Sequence, residues 1–299
     1  MKRIGKNQTS MNDRLFDIAN YTILTLAVLA VLYPLYYVVI ASISDPNYIA
    51  AGKVILLPKG ITFEGYKEIF QSPEIWTGYK NTIIYTVIGT VISVCFTMPA
   101  GFALTKKDLP GKKLILIFLM FTLYFGGGLI PTYVLINDLN MVNTIWAIVI
   151  PNAVWVFNII IVRTFLQQNI SAEMVEAATI DGCSLAGIFF KIALPLSKAV
   201  IVILVLFHAI GYWNSFFDAM IYLDNKKMHP LQLVLRDILI QNEVSNNSLE
   251  SIDTFLAKQR LADLLKYGSI IVASLPVLIL YPFLQKYFVK GVTIGSVKG

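Results

Sequence analysis

The sequence predicts an all-α polytopic membrane protein with six transmembrane helices. Of its 299 residues, 57% are hydrophobic and 14% are charged, whereas about a quarter of the residues in a soluble protein are charged. The apolar residues fall into six runs that approach or reach the ~20 residues a helix needs to cross a bilayer. Within a membrane domain over 21–289, we predict spans at residues 21–41, 81–104, 114–136, 144–166, 198–223 and 267–288.

The first span follows a polar, basic segment over residues 1–20. A secretory signal peptide also has a basic start and an apolar core. The run over 21–41 is longer than the usual core of a signal peptide, and five more apolar runs follow it. We therefore expect an uncleaved first span behind a cytoplasmic N-terminal segment.

Lysine and arginine residues indicate the orientation of the spans. When the spans alternate in direction, one side of the membrane holds both termini, the loop with Lys106, Lys107, Lys112 and Lys113, and the basic segment 163–198. The loops on the other side carry mixed charge. Basic loops favour the cytoplasmic side, so both termini are expected to be cytoplasmic. This distribution accounts for the net charge of +6 without a nucleic-acid partner.

Two of the predicted outer loops are long. The loop 42–80 is expected to hold one short amphipathic helix around 62–71. The loop 224–266 is polar, with expected helices over 231–241 and 251–265. A long loop is more often functional than idle, so we expect 224–266 to contact a partner, and a solvated cap over the span ends is the alternative.

One long segment with polar residues, 171–195, lies between two apolar blocks and predicts two short helices joined by a tight turn. Ser171 is a candidate N-cap of the first helix. Asp181-Gly182 is expected to end that helix, because glycine adopts the left-handed conformation without penalty. Ser184 is expected to begin the second helix, and Pro195 to end it. The result is a bent amphipathic pair at the membrane surface.

The residues of this segment resemble the EAA motif of ABC-importer permeases. The matching positions, at the spacing of that family, are Glu176, Ala177, Ala178, Gly182, Ile192, Leu194 and Pro195. Asp181, which precedes the glycine, is a further candidate coupling residue. The resemblance also implies a bacterial cell membrane as the location. In this resemblance the segment is the cytoplasmic coupling-helix (EAA) loop, which docks on an ATP-binding subunit. An interfacial amphipathic hairpin without a partner is the alternative.

The resemblance covers most of the chain and implies a permease of a type I ABC importer of the carbohydrate-uptake class, similar to the maltose importer. The stretch Phe125–Tyr133 resembles permeases for oligosaccharides from plant or algal polysaccharide. The tail 290–299 resembles the C-terminal tail of one maltose-importer permease and implies an ATPase contact. The implied partners are a second, different permease, two ATP-binding subunits and an extracytoplasmic solute-binding protein, which the loop 224–266 would face.

No residue pattern indicates chemistry on this chain. It lacks the G-x-x-x-x-G-K-[ST] loop that cradles nucleotide phosphates, so ATP and magnesium are expected on the partner ATPase subunits. With two histidines and no clustered carboxylates in the spans, we expect neither a metal site nor catalytic residues.

Polar residues inside the spans are candidate pathway residues, because they are costly in a bilayer unless they face the bundle or water. Hydrogen bonds between helices are an equally good explanation. In the third span, Gly126, Gly127 and Gly128 with Pro131 predict a kink or a close helix crossing, with an unwound segment that lines the solute path as the alternative. The candidate pathway residues are His208, Tyr212, Trp213, Asn214 and Asp218 in the fifth span and Asn152 and Asn158 in the fourth.

Two other functions remain open from the sequence. An ion-coupled secondary carrier needs ionisable residues at mid-membrane, and the spans offer few apart from His208 and Asp218. A membrane scaffold without a transport role is the second alternative.

Overall fold

The fold was obtained as a computed structural model, which describes residues 11–244, 260, 262–279 and 282. All regular elements of these residues are helical, which confirms the all-α prediction. The predicted tail 290–299, most of the predicted helix 251–265 and the end of the last predicted span lie outside the described residues. The α-helices are α1 Met11–Ser42, α2 Pro46–Ala50, α3 Glu64–Gln71, α4 Pro73–Ala103, α5 Lys112–Tyr124, α6 Leu129–Asp138, α7 Trp146–Val149, α8 Val156–Asn169, α9 Ala172–Ile180, α10 Leu185–Ile188, α11 Leu194–Leu196, α12 Lys198–Trp213, α13 Phe217–Tyr222, α14 Leu231–Val244 and α15 Ala262–Ile279.

Three of the described helices are long and apolar enough to cross a membrane, namely α1, α4 and α15. Two bent pairs, α5 with α6 and the segment Leu185–Leu196 with α12, raise the number of candidate spans to as many as five. The predicted fourth span, 144–166, is not one helix, since α7 ends at Val149 and α8 begins at Val156. Pro151 lies in the interruption and has no N–H to continue a helix. The six-span count stays a prediction.

The predicted third span is also interrupted. Phe125 to Gly128 are not helical, and α5 and α6 meet at 114°. Gly128 has φ 85°, a conformation that residues with a Cβ avoid. The predicted kink is therefore confirmed, and it is a full break in the helix.

The chain divides into two compact units, one over 1–69 and 241–272 and the other over 70–240 and 273–299. In the first unit, α3 is the predicted amphipathic helix, and it buries Gly65 and Ile69. Tyr66 Oη donates to Ser42 Oγ at 2.7 Å. Arg260 Nη2 lies 3.4 Å from Asp45 Oδ2 and 3.3 Å from Glu64 Oε2. These two ion pairs connect Arg260 to the segment that follows α1.

In the second unit, α4 is the central helix and packs most extensively against α12 and α8. Glycines allow these close approaches. A Cβ on Gly89 would lie 2.4 Å from Cε2 of Tyr212, and one on Gly101 would lie 2.4 Å from Cγ1 of Val162. Near the N-terminal end of α4, Asn81 Nδ2 donates to the carbonyl oxygens of Lys227 and His229 at 2.8 and 3.0 Å.

Two buried apolar clusters hold the second unit together. The first, called the coupling-side cluster below, combines residues of α4, α8 and α12 with residues of the segment 185–196. Its buried members are Met98, Phe102, Val162, Leu166, Ile188, Phe189, Ala193, Val200 and Leu204. The second cluster contains Tyr85, Ile136, Ala147, Ile148, Ala219, Tyr222, Leu223 and Leu233.

Candidate functional site

Helix α9 begins and ends at the residues that the sequence indicates. Ser171 Oγ accepts the backbone N–H of Met174 at 3.3 Å, as an N-cap does. Asp181 is the C-cap, and Gly182 follows with φ 78°. The N–H of Gly182 donates to Thr179 O at 3.0 Å and that of Cys183 to Ala178 O at 2.9 Å, which is the bond pair of a Schellman motif. Local chemistry alone therefore defines this turn.

The second helix of the segment begins as predicted, with Ser184 Oγ accepting the N–H of Gly187 at 3.1 Å. The prediction that Pro195 ends it is wrong, because helical structure continues to Leu196. A π-helical turn over Phe189–Ala193 precedes the proline. This wider turn relieves the clash between the proline ring and the carbonyl of residue 191. The actual break comes at Ser197, where the axis bends by 80° into α12.

One face of the α9 and α10 pair is anchored and the other is exposed. Val175, Ala178 and Cys183 pack against the coupling-side cluster, and Ile188 and Phe189 belong to it. On the opposite face of α9, Ile180 is 86% exposed. Leu185 of α10 is 61% exposed and lies on the same side as Phe189. Large apolar side chains with this exposure are candidate contacts for a partner.

The predicted coupling residues divide between these two faces. Glu176, Ala177, Asp181, Gly182 and Pro195 are exposed. Ala178, Ile192 and Leu194 are partly buried against the coupling-side cluster, so their role in this structure is to support the segment. Val175 was missed by the sequence analysis, although its spacing of three residues from Ala178 is a signal of a shared helix face.

The exposed surface of α9 carries a negative charge near the start of the helix, where the helix dipole stabilises it. Glu173 lies in the first turn of α9, where a carboxylate is favourable. Hydrogen bonds from its own backbone N–H and from Ser171 lower the pKa of Glu173. The residue stays ionised at neutral pH and contributes a fixed negative charge.

The predicted pathway residues do not form one site. Asn158 Nδ2 lies 3.0 Å from His208 Nε2, and both residues are fully buried. Trp213 Nε1 donates to Ala273 O at 3.0 Å. Asn214 is exposed and donates to Ile210 O at 3.0 Å. These bonds join neighbouring helices or neighbouring turns of one helix.

The remaining pathway residues lie around a small cavity of about 140 Å³, called the polar cavity below because four of its six lining residues have polar side chains. It is lined by Asn152, Trp155, Gly211, Tyr212, Ser215 and Asp218. Asn152 Nδ2 donates to Asp218 Oδ2 at 2.7 Å. Ser215 Oγ is buried without a hydrogen-bond partner among the described residues. Interruptions of the helices form this cavity, since 150–155 separate α7 from α8 and 214–216 separate α12 from α13.

Trp155 and Gly211 shape one wall of the cavity. The indole ring of Trp155 lies 4.9 Å from the ring of His208. A Cβ on Gly211 would come within 3.0 Å of the indole, so the glycine allows the close packing. Gly211 was missed by the sequence analysis, because a glycine in an apolar run does not indicate which side chain approaches it.

Among the described residues there is no group of three or more metal-ligating side chains.

Known proteins share this architecture along almost the whole chain. Residues 75–294 match the family described as "Binding-protein-dependent transport system inner membrane component". Protein LplC of Bacillus subtilis (strain 168) is 37% identical over 299 residues, with both chains fully covered. The polygalacturonan/rhamnogalacturonan transport system permease protein YtcP of the same strain is 36% identical, with 97% of this chain and all of YtcP covered.

A solved structure supports the same assignment. A chain of a bacterial ABC transporter involved in the import of the acidic polysaccharide alginate superposes with a TM-score of 0.84 and 33% identity, covering 95% of this chain and all of the other. The fold is therefore that of a type I importer permease, and the protein is a multi-pass membrane component. The family match, the two relatives and this superposition agree, and the chain belongs to the family of binding-protein-dependent transport system inner membrane components.

Proposed function

We propose that this chain moves an oligosaccharide inward as one permease subunit of an ATP-driven importer, by alternating access. The relatives named above support the substrate class, since YtcP is named for polygalacturonan and rhamnogalacturonan, and the similar solved transporter imports alginate. Members of this family are non-catalytic transport components. We therefore assign ATP and magnesium to two partner ATPase subunits, and passage of the sugar to this chain with a second permease.

The observation that carries this proposal is the two-faced helix pair α9 and α10. Its inner face is built into the coupling-side cluster through Ile188 and Phe189. Its outer face presents Ile180 and Glu176. A displacement of the outer face by an ATPase therefore moves side chains that are packed against α4, α8 and α12. Close-packed cores transmit such shifts because they deform little, so nucleotide binding can bias the bundle between two states.

The proposal includes an orientation of this chain in the membrane and two further contacts with partner proteins. We infer a cytoplasmic position for both termini and for the helix pair, because basic loops favour that side of the membrane. The loop 224–266 faces the solute-binding protein outside the membrane, and the tail 290–299 contacts the ATPase subunits.

The sugar pathway in this chain is proposed to pass the polar cavity. Asp218 and Ser215 offer an acceptor and an unpartnered hydroxyl, and Trp155 offers an aromatic face. Sugars bind such sites through hydroxyl hydrogen bonds and C–H contacts with a ring. Asp218→Asn is expected to slow sugar uptake by reconstituted complexes at least several-fold, whereas Asp138→Asn, at an exposed aspartate, leaves it unchanged. Equal uptake by the two variants would remove the cavity from the pathway.

The experiment for the coupling surface is co-purification with a tagged ATPase subunit. Ile180→Asp places a charge where we propose an apolar contact, and the ATPase is expected to be lost from the purified complex. Ile61→Asp is the matched control, because Ile61 is 66% exposed on another loop. If the ATPase stays bound to the Ile180 variant, or leaves with both variants, the coupling role of α9 is wrong.

A further inference from the structure

The loop between α4 and α5 concentrates positive charge. Residues 106–113 contain four lysines and one aspartate, a formal charge of +4 − 1 = +3. Lys112 Nζ donates to the carbonyl oxygen of Lys106 at 2.7 Å and lies 3.4 Å from that of Thr105. These bonds fold the loop back onto the start of α5. The lysines from both ends of the loop are thereby gathered into one basic surface, formed by Lys106, Lys107, Lys112 and Lys113.

A shallow and open apolar depression on the surface of α5, called the groove below, begins at this basic surface. It has a volume of about 560 Å³ and is lined by Lys112, Lys113, Leu116, Ile117 and Met120. Positions 113, 116, 117 and 120 lie on one face of a helix. The groove therefore has two lysines at one end and apolar side chains along the rest. None of the residues of α5 is buried.

The charge and the groove together identify the chemistry of the occupant. Ammonium groups attract an anion, and the groove accepts an apolar chain that is attached to it. Most of the groove lies within the predicted span 114–136, at membrane depth, where a water-soluble partner does not reach. An anionic lipid satisfies both parts of the surface at once.

The same surface adjoins the helix pair α9 and α10. Lys106 Nζ lies 4.5 Å from the centre of the Phe102 ring, and Phe102 belongs to the coupling-side cluster. Burial lowers the pKa of Lys106, and the Asp108 carboxylate opposes this shift. A neighbouring cavity of about 500 Å³ is lined by Phe102 and Lys106 together with Leu185 and Phe190. A molecule at the basic surface thus lies beside the segment to which we assign coupling.

We propose that the basic surface and the groove along α5 bind an anionic phospholipid, with the headgroup phosphate on the lysines and an acyl chain against Leu116, Ile117 and Met120. The site is separate from the sugar pathway. Its headgroup end lies beside Phe102 of the coupling-side cluster.

Lipid selectivity of the purified complex tests this proposal. The complex is reconstituted in phosphatidylcholine vesicles, and the fractions of spin-labelled phosphatidylglycerol and spin-labelled phosphatidylcholine at the protein surface are compared. The variant K107Q/K113Q removes two exposed lysines. The matched control K226Q/K227Q removes an adjacent, exposed pair near the opposite end of α4, beside Asn81. Each lysine near an anionic lipid contributes about fivefold in affinity.

The wild-type complex is expected to prefer phosphatidylglycerol. K107Q/K113Q should reduce that preference at least about fivefold, and K226Q/K227Q should leave it unchanged. Excess inorganic phosphate should not displace the lipid, because it does not occupy the groove. An equal loss in both variants, no preference in the wild type, or full displacement by phosphate would overturn the proposal. None of these readouts depends on transport, so the lipid site and the proposed function can fail independently.

Discussion

Gly89 on α4 offers a demanding test of the helix packing. In Gly89→Ala the new Cβ would lie 2.4 Å from Cε2 and 2.5 Å from Cζ of Tyr212, far inside contact distance. Tyr212 cannot simply swing away, because it is 3% exposed and its hydroxyl donates to Val149 O at 2.9 Å. The substitution therefore either strains the core or breaks that hydrogen bond.

The magnitude follows from three contributions. Overpacking a close-packed site costs about 1–3 kcal/mol. Loss of one hydrogen bond lowers the free energy of unfolding by about 0.5–1.5 kcal/mol. The higher helix propensity of alanine than of glycine raises it by about 1 kcal/mol. We expect the free energy of unfolding of Gly89→Ala to fall by about 1–3 kcal/mol, measured by denaturant titration in detergent micelles with tryptophan fluorescence as the signal.

A double-mutant cycle separates this explanation from a general effect of alanine. In a Tyr212→Ala background the clash is absent, so the same change at Gly89 should be neutral or slightly stabilising. Two results contradict the reasoning, namely unchanged stability of the single variant or an equal loss in both backgrounds. Either one would mean that α4 and α12 do not approach each other as closely as the structure shows.

Three further variants test single local features. Ser171→Ala removes the N-cap of α9, and amide exchange of Met174 should accelerate by about the fivefold that corresponds to a loss of ~1 kcal/mol; unchanged exchange contradicts the cap. In Gly182→Ala the new Cβ meets no atom within 4 Å. The free energy of unfolding is therefore expected to fall by about 1–2 kcal/mol because of the positive φ alone. Gly182→Asn should lower it less in the same unfolding assay, because asparagine adopts this conformation more readily. Asn158→Leu leaves His208 without its hydrogen bond and should lower the free energy of unfolding by about 1–3 kcal/mol; a neutral result would show that the pair is not buried.

The features that the sequence could predict are those set by neighbouring residues. Apolar runs indicated α1 and α4, and the serines at 171 and 184 marked the two helix starts, because a cap acts within one turn. The glycine at 182 predicted the turn for the same reason. The family motif located the coupling segment, while its division into an anchored and an exposed face required the structure.

The features that could not be predicted depend on distant parts of the chain. Asn158 and His208 are 50 residues apart, and Asn152 and Asp218 are 66 apart. No local pattern pairs them. The helix break at 214–216 was also missed, because hydropathy averages over a window and does not register a short interruption in an apolar run. That break is what places Asp218 in the polar cavity.

The central claim is that the exposed face of α9 lies in the cytoplasm and transmits the nucleotide cycle of an ATPase to the membrane bundle. Its most direct test is a single cysteine, Glu176→Cys in a C95S/C183S background, treated with a membrane-impermeant maleimide. The account predicts labelling in inside-out vesicles but not in intact cells, and protection when the ATPase subunits are bound. Labelling in intact cells would place the helix outside the cell and contradict the coupling mechanism.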